Sequence, residues 1–330
     1  MCFAILLVAL LQLLQTIAKS NTFDSMQRSS NHNIVRSSVS KRSNDWMEPC
    51  EFYPHGTGPI PVVLIALGRS GSSVTWDTLS ALTGERNVAY EVTGGNPKSS
   101  QVFFDDLEKN KFAFYNWTLQ RLCHIQQRRS DITQKAGISG FQWKPFVSSF
   151  NHEYAIEGLK AIGASTDEEI KVIYLQRNGL DRMISNLRHK QSKMSDHAVG
   201  AHCAVGDDEC IMNHLSFDTT ITFPTGDTLI QWSKAAISKN QKILDRLKDA
   251  NVNFVEVSYE KLFNRNDAEE WMRILRHLGV GPSSNLTMTE IRAAFSMAPT
   301  HQKKRNETIS NFHDVELTLI GTEFESYLYD

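Results

Sequence analysis

The stretch Pro61 to Ser73, PVVLIALGRSGSS, constrains this chain more than any other: an apolar run is followed at once by a tight glycine-serine turn. The run has the length and aliphatic content of a buried strand. The turn has the makings of an anion cradle. Gly68 and Gly71 can take φ > 0 and leave room for a phosphate against the backbone, while successive N–H groups and the positive end of a helix opening near Ser73 face inward. Arg69 supplies a permanent charge.

What the turn lacks narrows the chemistry. A loop built for nucleoside triphosphates, G-x-x-x-x-G-K-[ST], uses a Lys on the β and γ phosphates and a following hydroxyl on Mg²⁺. No Lys stands here, and neither later apolar strand, VIYLQR from Val172 or FVEVSYE from Phe254, ends in the Asp that would complete a magnesium site. The ligand is therefore expected to be anionic and bound without a metal.

Downstream, apolar runs alternate with longer amphipathic stretches, the pattern of β-α repetition around a mostly parallel sheet. Strands are expected at Val62 to Leu67, Val88 to Val92, Ile138 to Trp143, Val172 to Leu175 and Phe254 to Val257. Helices are expected at Val74 to Leu82, Val102 to Gln126, His152 to Ala161, Leu180 to Lys193, Thr228 to Ala250 and Ala268 to Leu278. The phosphate turn then lies at the carboxyl end of the sheet. No Pro/Gly-rich linker divides the chain after residue 60, so one α/β domain over 60–330 is the expected organisation. Ser195 to Gly226 reads as a long excursion between elements, suited to acceptor recognition.

With 330 residues, 41% hydrophobic, the chain can bury a full core, and a net charge of −2 argues against an extended nucleic-acid surface. Cys2 to Ala18 is a continuous apolar stretch, followed by a polar stem over 19–59. It reads as a targeting segment, either a signal peptide cleaved after Thr16-Ile17-Ala18 or an uncleaved membrane anchor. Lys19, Arg28 and Arg36 just beyond it disfavour the anchor by the positive-inside rule. Asn116, Asn285 and Asn306 begin acceptor sequons, and the four cysteines beyond Cys2 suggest two disulfides, Cys203–Cys210 and Cys50–Cys123. A rival use of the same region is a zinc site from His202, Cys203, Cys210 and His214.

Arg-Ser-Gly-Ser-Ser after an apolar strand resembles the phosphosulfate loop of the carbohydrate sulfotransferases of the Golgi, which share a P-loop NTPase-like fold. The resemblance covers about Pro61 to Asp330 and implies 3'-phosphoadenosine 5'-phosphosulfate (PAPS) as donor, a glycan or glycoprotein hydroxyl as acceptor, and no metal. It implies a donor site of Gly68, Arg69, Ser70, Gly71, Ser72 and Ser73, with Arg69 also stabilising the leaving phosphate. Tyr90-Glu91, twenty-two residues beyond Arg69, is similar to the family's Glu-bearing segment, so Glu91 is the expected base; Glu85 and Asp77 are weaker candidates.

Arg177 at a strand end and Ser185 eight positions later match the family's 3'-phosphate pair. Tyr259, in Tyr259-Glu260-Lys261-Leu262, resembles the residue lying against adenine, and Lys303, Lys304 and Arg305 the basic loop that closes over the 3'-phosphate. One departure stands out: Arg177-Asn178-Gly179-Leu180 replaces the family's frequent Arg-Asp-Pro-Arg, which is expected to loosen the start of the following helix. A protein-tyrosine sulfotransferase shares the loop and base, and a P-loop kinase or a non-catalytic lumenal glycan-binding protein stand as further alternatives.

Overall fold

The computed structural model describes residues 49–54, 56–84, 86–87, 90–91, 118–128, 137–144, 152–165, 170–194, 203–216, 220–265, 267–280, 286–298 and 304–329. The apolar stretch Cys2 to Ala18 lies outside the described residues. Among the described residues no helix is long and apolar enough to cross a membrane.

From the amino end the elements are β1 (Ile60–Ala66), α1 (Ser72–Thr83), β2 (Tyr90–Glu91), helix α2 over 118–128, β3 (Ile138–Trp143), α3 (His152–Ala164) and β4 (Lys171–Gln176). Then come α4 (Gly179–Met194), β5 (Cys203–Ala204), α5 (Asp208–Ser216), α6 (Gly226–Asp249), β6 (Phe254–Ser258), a π-turn (Glu260–Asn264) and α7 (Ala268–Leu278). Last are α8 (Met288–Ala293), β7 (Met297–Ala298), α9 (Arg305–Thr308), α10 (Phe312–Leu319) and a 3₁₀ turn (Glu325–Leu328).

Among the described residues five strands pair in the order β2-β3-β1-β4-β6, every neighbouring pair parallel. The expected α/β domain, with a central parallel sheet flanked by helices, is the fold. Burial explains the order. Val62 to Ala66 of β1 are at most 1% exposed, as a strand covered on both faces must be, whereas β6 at the edge alternates buried Val255 and Val257 with exposed Glu256. Packing on the sheet is continuous: Leu64, Trp76, Leu79, Ile173, Val257 and Trp271 belong to one apolar cluster. Helix α7 shows the local logic well. Asp267 accepts from the backbone N–H of Glu269 and Glu270 at its start, two acids fill its first turn, and Gly279 ends it at φ 72°.

Both cysteine pairings occur, Cys50–Cys123 and Cys203–Cys210. The first, with Gln126 accepting from Tyr53 N–H and donating to the Pro59 carbonyl, fastens residues 50–59 onto α2. Because the bridge closes a 73-residue span, its loss is expected to cost about 4 kcal/mol, against about 2.5 kcal/mol for the short one. Urea denaturation of the Cys50→Ser/Cys123→Ser and Cys203→Ser/Cys210→Ser proteins checks the difference. The second bridge overturns the zinc alternative, since each sulfur is bonded to the other and neither remains a thiolate ligand.

The excursion after α4 is more structured than its composition suggests. β5 pairs antiparallel with β7, and residues 221–223 bond to 308–311, with Ile221 N–H on the Thr308 carbonyl and Asn311 bonding both polar groups of the Phe223 backbone. These contacts close a second apolar cluster of Leu180, Ile221, Leu229, Val315, Leu319 and Phe324. Of the expected second strand, Tyr90–Glu91 is described; of the expected helix from Val102, the described part is 118–128.

Candidate active site

The glycine-serine turn begins where β1 ends, with Ser70 N–H donating to the Leu67 carbonyl at 3.3 Å. Its backbone differs from the expectation at one position. Gly71 does take the left-handed region, at φ 82°, and caps α1, but the second left-handed residue is Arg69, at φ 67°, and Gly68 is not left-handed. Placing a side-chain-bearing residue there costs about 1 kcal/mol or more and persists where neighbours over-determine it. Two do so here. The Arg177 Nη1 donates to the Arg69 carbonyl at 3.1 Å, and Arg69 Nε donates to Ser185 Oγ at 3.2 Å.

Tyr259, just past the end of β6, completes the cluster. Its ring lies against Gly71 so closely that a Cβ on that glycine would sit 2.3 Å from a ring carbon. The Arg177 guanidinium carbon lies 4.4 Å from the Tyr259 ring centroid, a cation–π distance. Thus Arg69, Gly71, Arg177, Ser185 and Tyr259, drawn from the ends of β1, β4 and β6 and from α4, meet at the carboxyl edge of the sheet. In an open α/β sheet that edge is the ligand-binding side.

The electrostatics of the cluster are those of a site short of an anion. Burial first, and the neighbouring Arg177 charge second, push the Arg69 guanidinium below its ordinary pKa. Among the described residues neither Arg69 nor Arg177 has a carboxylate partner. Among the same residues Arg177 Nε is buried without a hydrogen-bond acceptor, an arrangement that costs free energy unless something negative arrives. Burial raises the Tyr259 hydroxyl pKa, with Arg177 opposing and the Glu260 and Asp181 carboxylates adding to the rise.

Sequence reasoning did not single out the residues that hold this cluster. Asn178 accepts through Oδ1 from the N–H groups of Leu180 and Asp181, and its Nδ2 donates to the Tyr327 carbonyl. The absent Pro therefore does not leave α4 loose: Asn178 caps it, and Gly179 fits beneath the Tyr327 ring, where a Cβ would lie 2.4 Å from ring carbons. Asn-Gly after a strand was the available signal for a cap. Glu260, 5% exposed, accepts from Asn178 N–H and Ser258 Oγ, both at 2.9 Å. Its place one residue after Tyr259 gave no hint of that.

On the other flank, β3 contributes Gln142, whose Oε1 accepts from Ser72 Oγ at 2.7 Å. The backbone of Glu91 pairs in register with Gln142, which in turn pairs with Leu64 of β1. Glu91 thus lies two strands from β1, about 10 Å at ordinary strand spacing, on the opposite side from Arg177. Its side chain lies outside what is described, as do Lys303 and Glu85. Ser70 is buried, Ser73 half-buried and Lys304 exposed. Arg305 makes a two-pronged ion pair with Asp181, 2.7 and 2.9 Å, at the start of α9. Asp77 is engaged elsewhere, on Arg86 at 2.5 Å and on the Ser296 hydroxyl, which ties α1 to the segment leading into β7.

A parallel sheet whose first strand runs into a left-handed, arginine-bearing turn and then a helix is an α/β fold of P-loop-like architecture. The family model described as Sulfotransferase domain matches residues 59–319, and the chain belongs to that family. No curated protein matches it significantly. Membership makes sulfuryl transfer the class of reaction.

Proposed function

We propose that the chain transfers the sulfuryl group of PAPS to a hydroxyl of a carbohydrate acceptor, with Glu91 as general base and no metal in the site. The observation that carries this reading is the pair of uncompensated guanidiniums, Arg69 and Arg177, meeting beside Gly71, Ser185 and Tyr259. Arg69 and the turn amides suit the 5'-phosphosulfate. Arg177, with its unused Nε, and Ser185 suit the 3'-phosphate. Tyr259 offers an aromatic face for the adenine, and the basic run Lys303, Lys304 and Arg305 is assigned to the 3'-phosphate by the family resemblance.

Glu91 would take the proton of the acceptor hydroxyl as that oxygen bonds to sulfur, and Arg69 would face the charge growing on the departing phosphate. Two disulfides suit an oxidising lumen. With the apolar segment at Cys2 to Ala18, they support a place in the secretory pathway, in the Golgi as a type II membrane protein or secreted after cleavage.

A thermal-shift comparison tests the donor. Adenosine 3',5'-bisphosphate should raise the melting temperature, while ATP with Mg²⁺ at the same concentration should not; the reverse pattern would turn the reading to a kinase. Radiolabelled PAPS offered with a glycan panel and with acidic tyrosine peptides then identifies the acceptor class, and transfer to the peptides alone would overturn the carbohydrate assignment.

A further inference from the structure

We propose that Glu260 is the positioning residue for the 3'-phosphate site, acting through Asn178 to fix where Arg177 stands; this rests on the donor reading above. Arg177 is the first residue after β4, and its reach is set by the backbone that follows it. That backbone is pinned at one N–H, that of Asn178, by the Glu260 Oε1 at 2.9 Å. The other oxygen, Oε2, takes the Ser258 hydroxyl, also at 2.9 Å, so the carboxylate is itself held in one orientation from the end of β6.

Burial gives the link its strength. Glu260 is 5% and Asn178 8% exposed, so neither the carboxylate nor the N–H has water to fall back on. Glu260 makes no ion pair with Arg177 among the described residues. It therefore does not neutralise the cation that the phosphate needs. Geometry and charge are separated: Glu260 directs the strand end, while Arg177 keeps its charge for the ligand and leans on Tyr259, the residue next to Glu260. The carboxylate thus directs the β4 turn alone, through the Asn178 N–H, from its own fixed place at the start of the π-turn.

The test compares adenosine 3',5'-bisphosphate with adenosine 5'-monophosphate by calorimetry on the full chain. Glu260→Ala should weaken the bisphosphate at least about tenfold while the monophosphate changes less than about twofold. Glu260→Gln, which keeps an oxygen acceptor at the same reach, should restore the bisphosphate to within about threefold of the native value. Should Glu260→Ala not fold, Glu260→Asp, which withdraws the acceptor by one methylene, should show the same selective loss. Equal weakening of both nucleotides, or undiminished preference in Ala and Asp alike, would overturn the positioning role. A native protein without preference for the bisphosphate would instead overturn the 3'-phosphate site itself, and Glu260's role with it.

Discussion

Glu91→Gln should lower turnover by about 10²- to 10⁴-fold, the range for loss of a general base, and leave the affinity for adenosine 3',5'-bisphosphate within about twofold of native. The argument is one of timing. An alcohol is a weak nucleophile, and its proton must leave as its oxygen engages sulfur, so a base contributes in the transition state and little to the bound product nucleotide. Placement supports the assignment: the Glu91 backbone pairs with Gln142, whose side chain holds Ser72 at the start of α1. A glutamine is nearly isosteric and keeps the strand pairing. Single-turnover rates with radiolabelled PAPS, set beside calorimetric affinities, separate the two effects. Parallel loss of turnover and nucleotide affinity would make Glu91 a structural residue.

Arg177→Ala should cost nucleotides bearing a 3'-phosphate at least about 30-fold in affinity, or about 2 kcal/mol, and those lacking it far less. Two terms act together. The dianion loses a charge-assisted donor, and Arg69, whose carbonyl Arg177 Nη1 holds, loses one support for its left-handed backbone. Removing a second half-buried cation also relieves Arg69 of an unfavourable neighbour, which partly offsets the loss for ligands that engage Arg69 alone. Titration with the bisphosphate and with the 5'-monophosphate reads the difference. An unchanged preference would take Arg177 out of the site.

The sequence made the main frame legible because the frame follows from periodicity. Five apolar runs separated by amphipathic stretches allow few arrangements other than a parallel sheet, and the residues at the strand ends, Arg69, Arg177 and Tyr259, converge because parallel topology puts every such end on one edge. The connecting detail was not legible. Nothing local distinguishes Gly68 from Arg69 as the left-handed position; the choice is made by Arg177 and Ser185, more than a hundred residues away. Asn178 reads as a poor substitute for Asp-Pro until Tyr327 and Glu260 are beside it. Glu260 has no sequence signal, since its task is to receive one N–H from another strand. Asp77, a weaker candidate for the base, is taken by Arg86 and Ser296.

The contact between Asn178 and Tyr327 spans 149 positions, and this sets an order of events during biosynthesis. At about 5–20 residues per second, a ribosome reaches Tyr327 roughly 7 to 30 s after it has made Asn178. Through that interval the sheet can begin to assemble while the helix that carries Ser185 lacks the aromatic cover over its first residue. The candidate site is thus a late product of translation, finished after the strands that frame it.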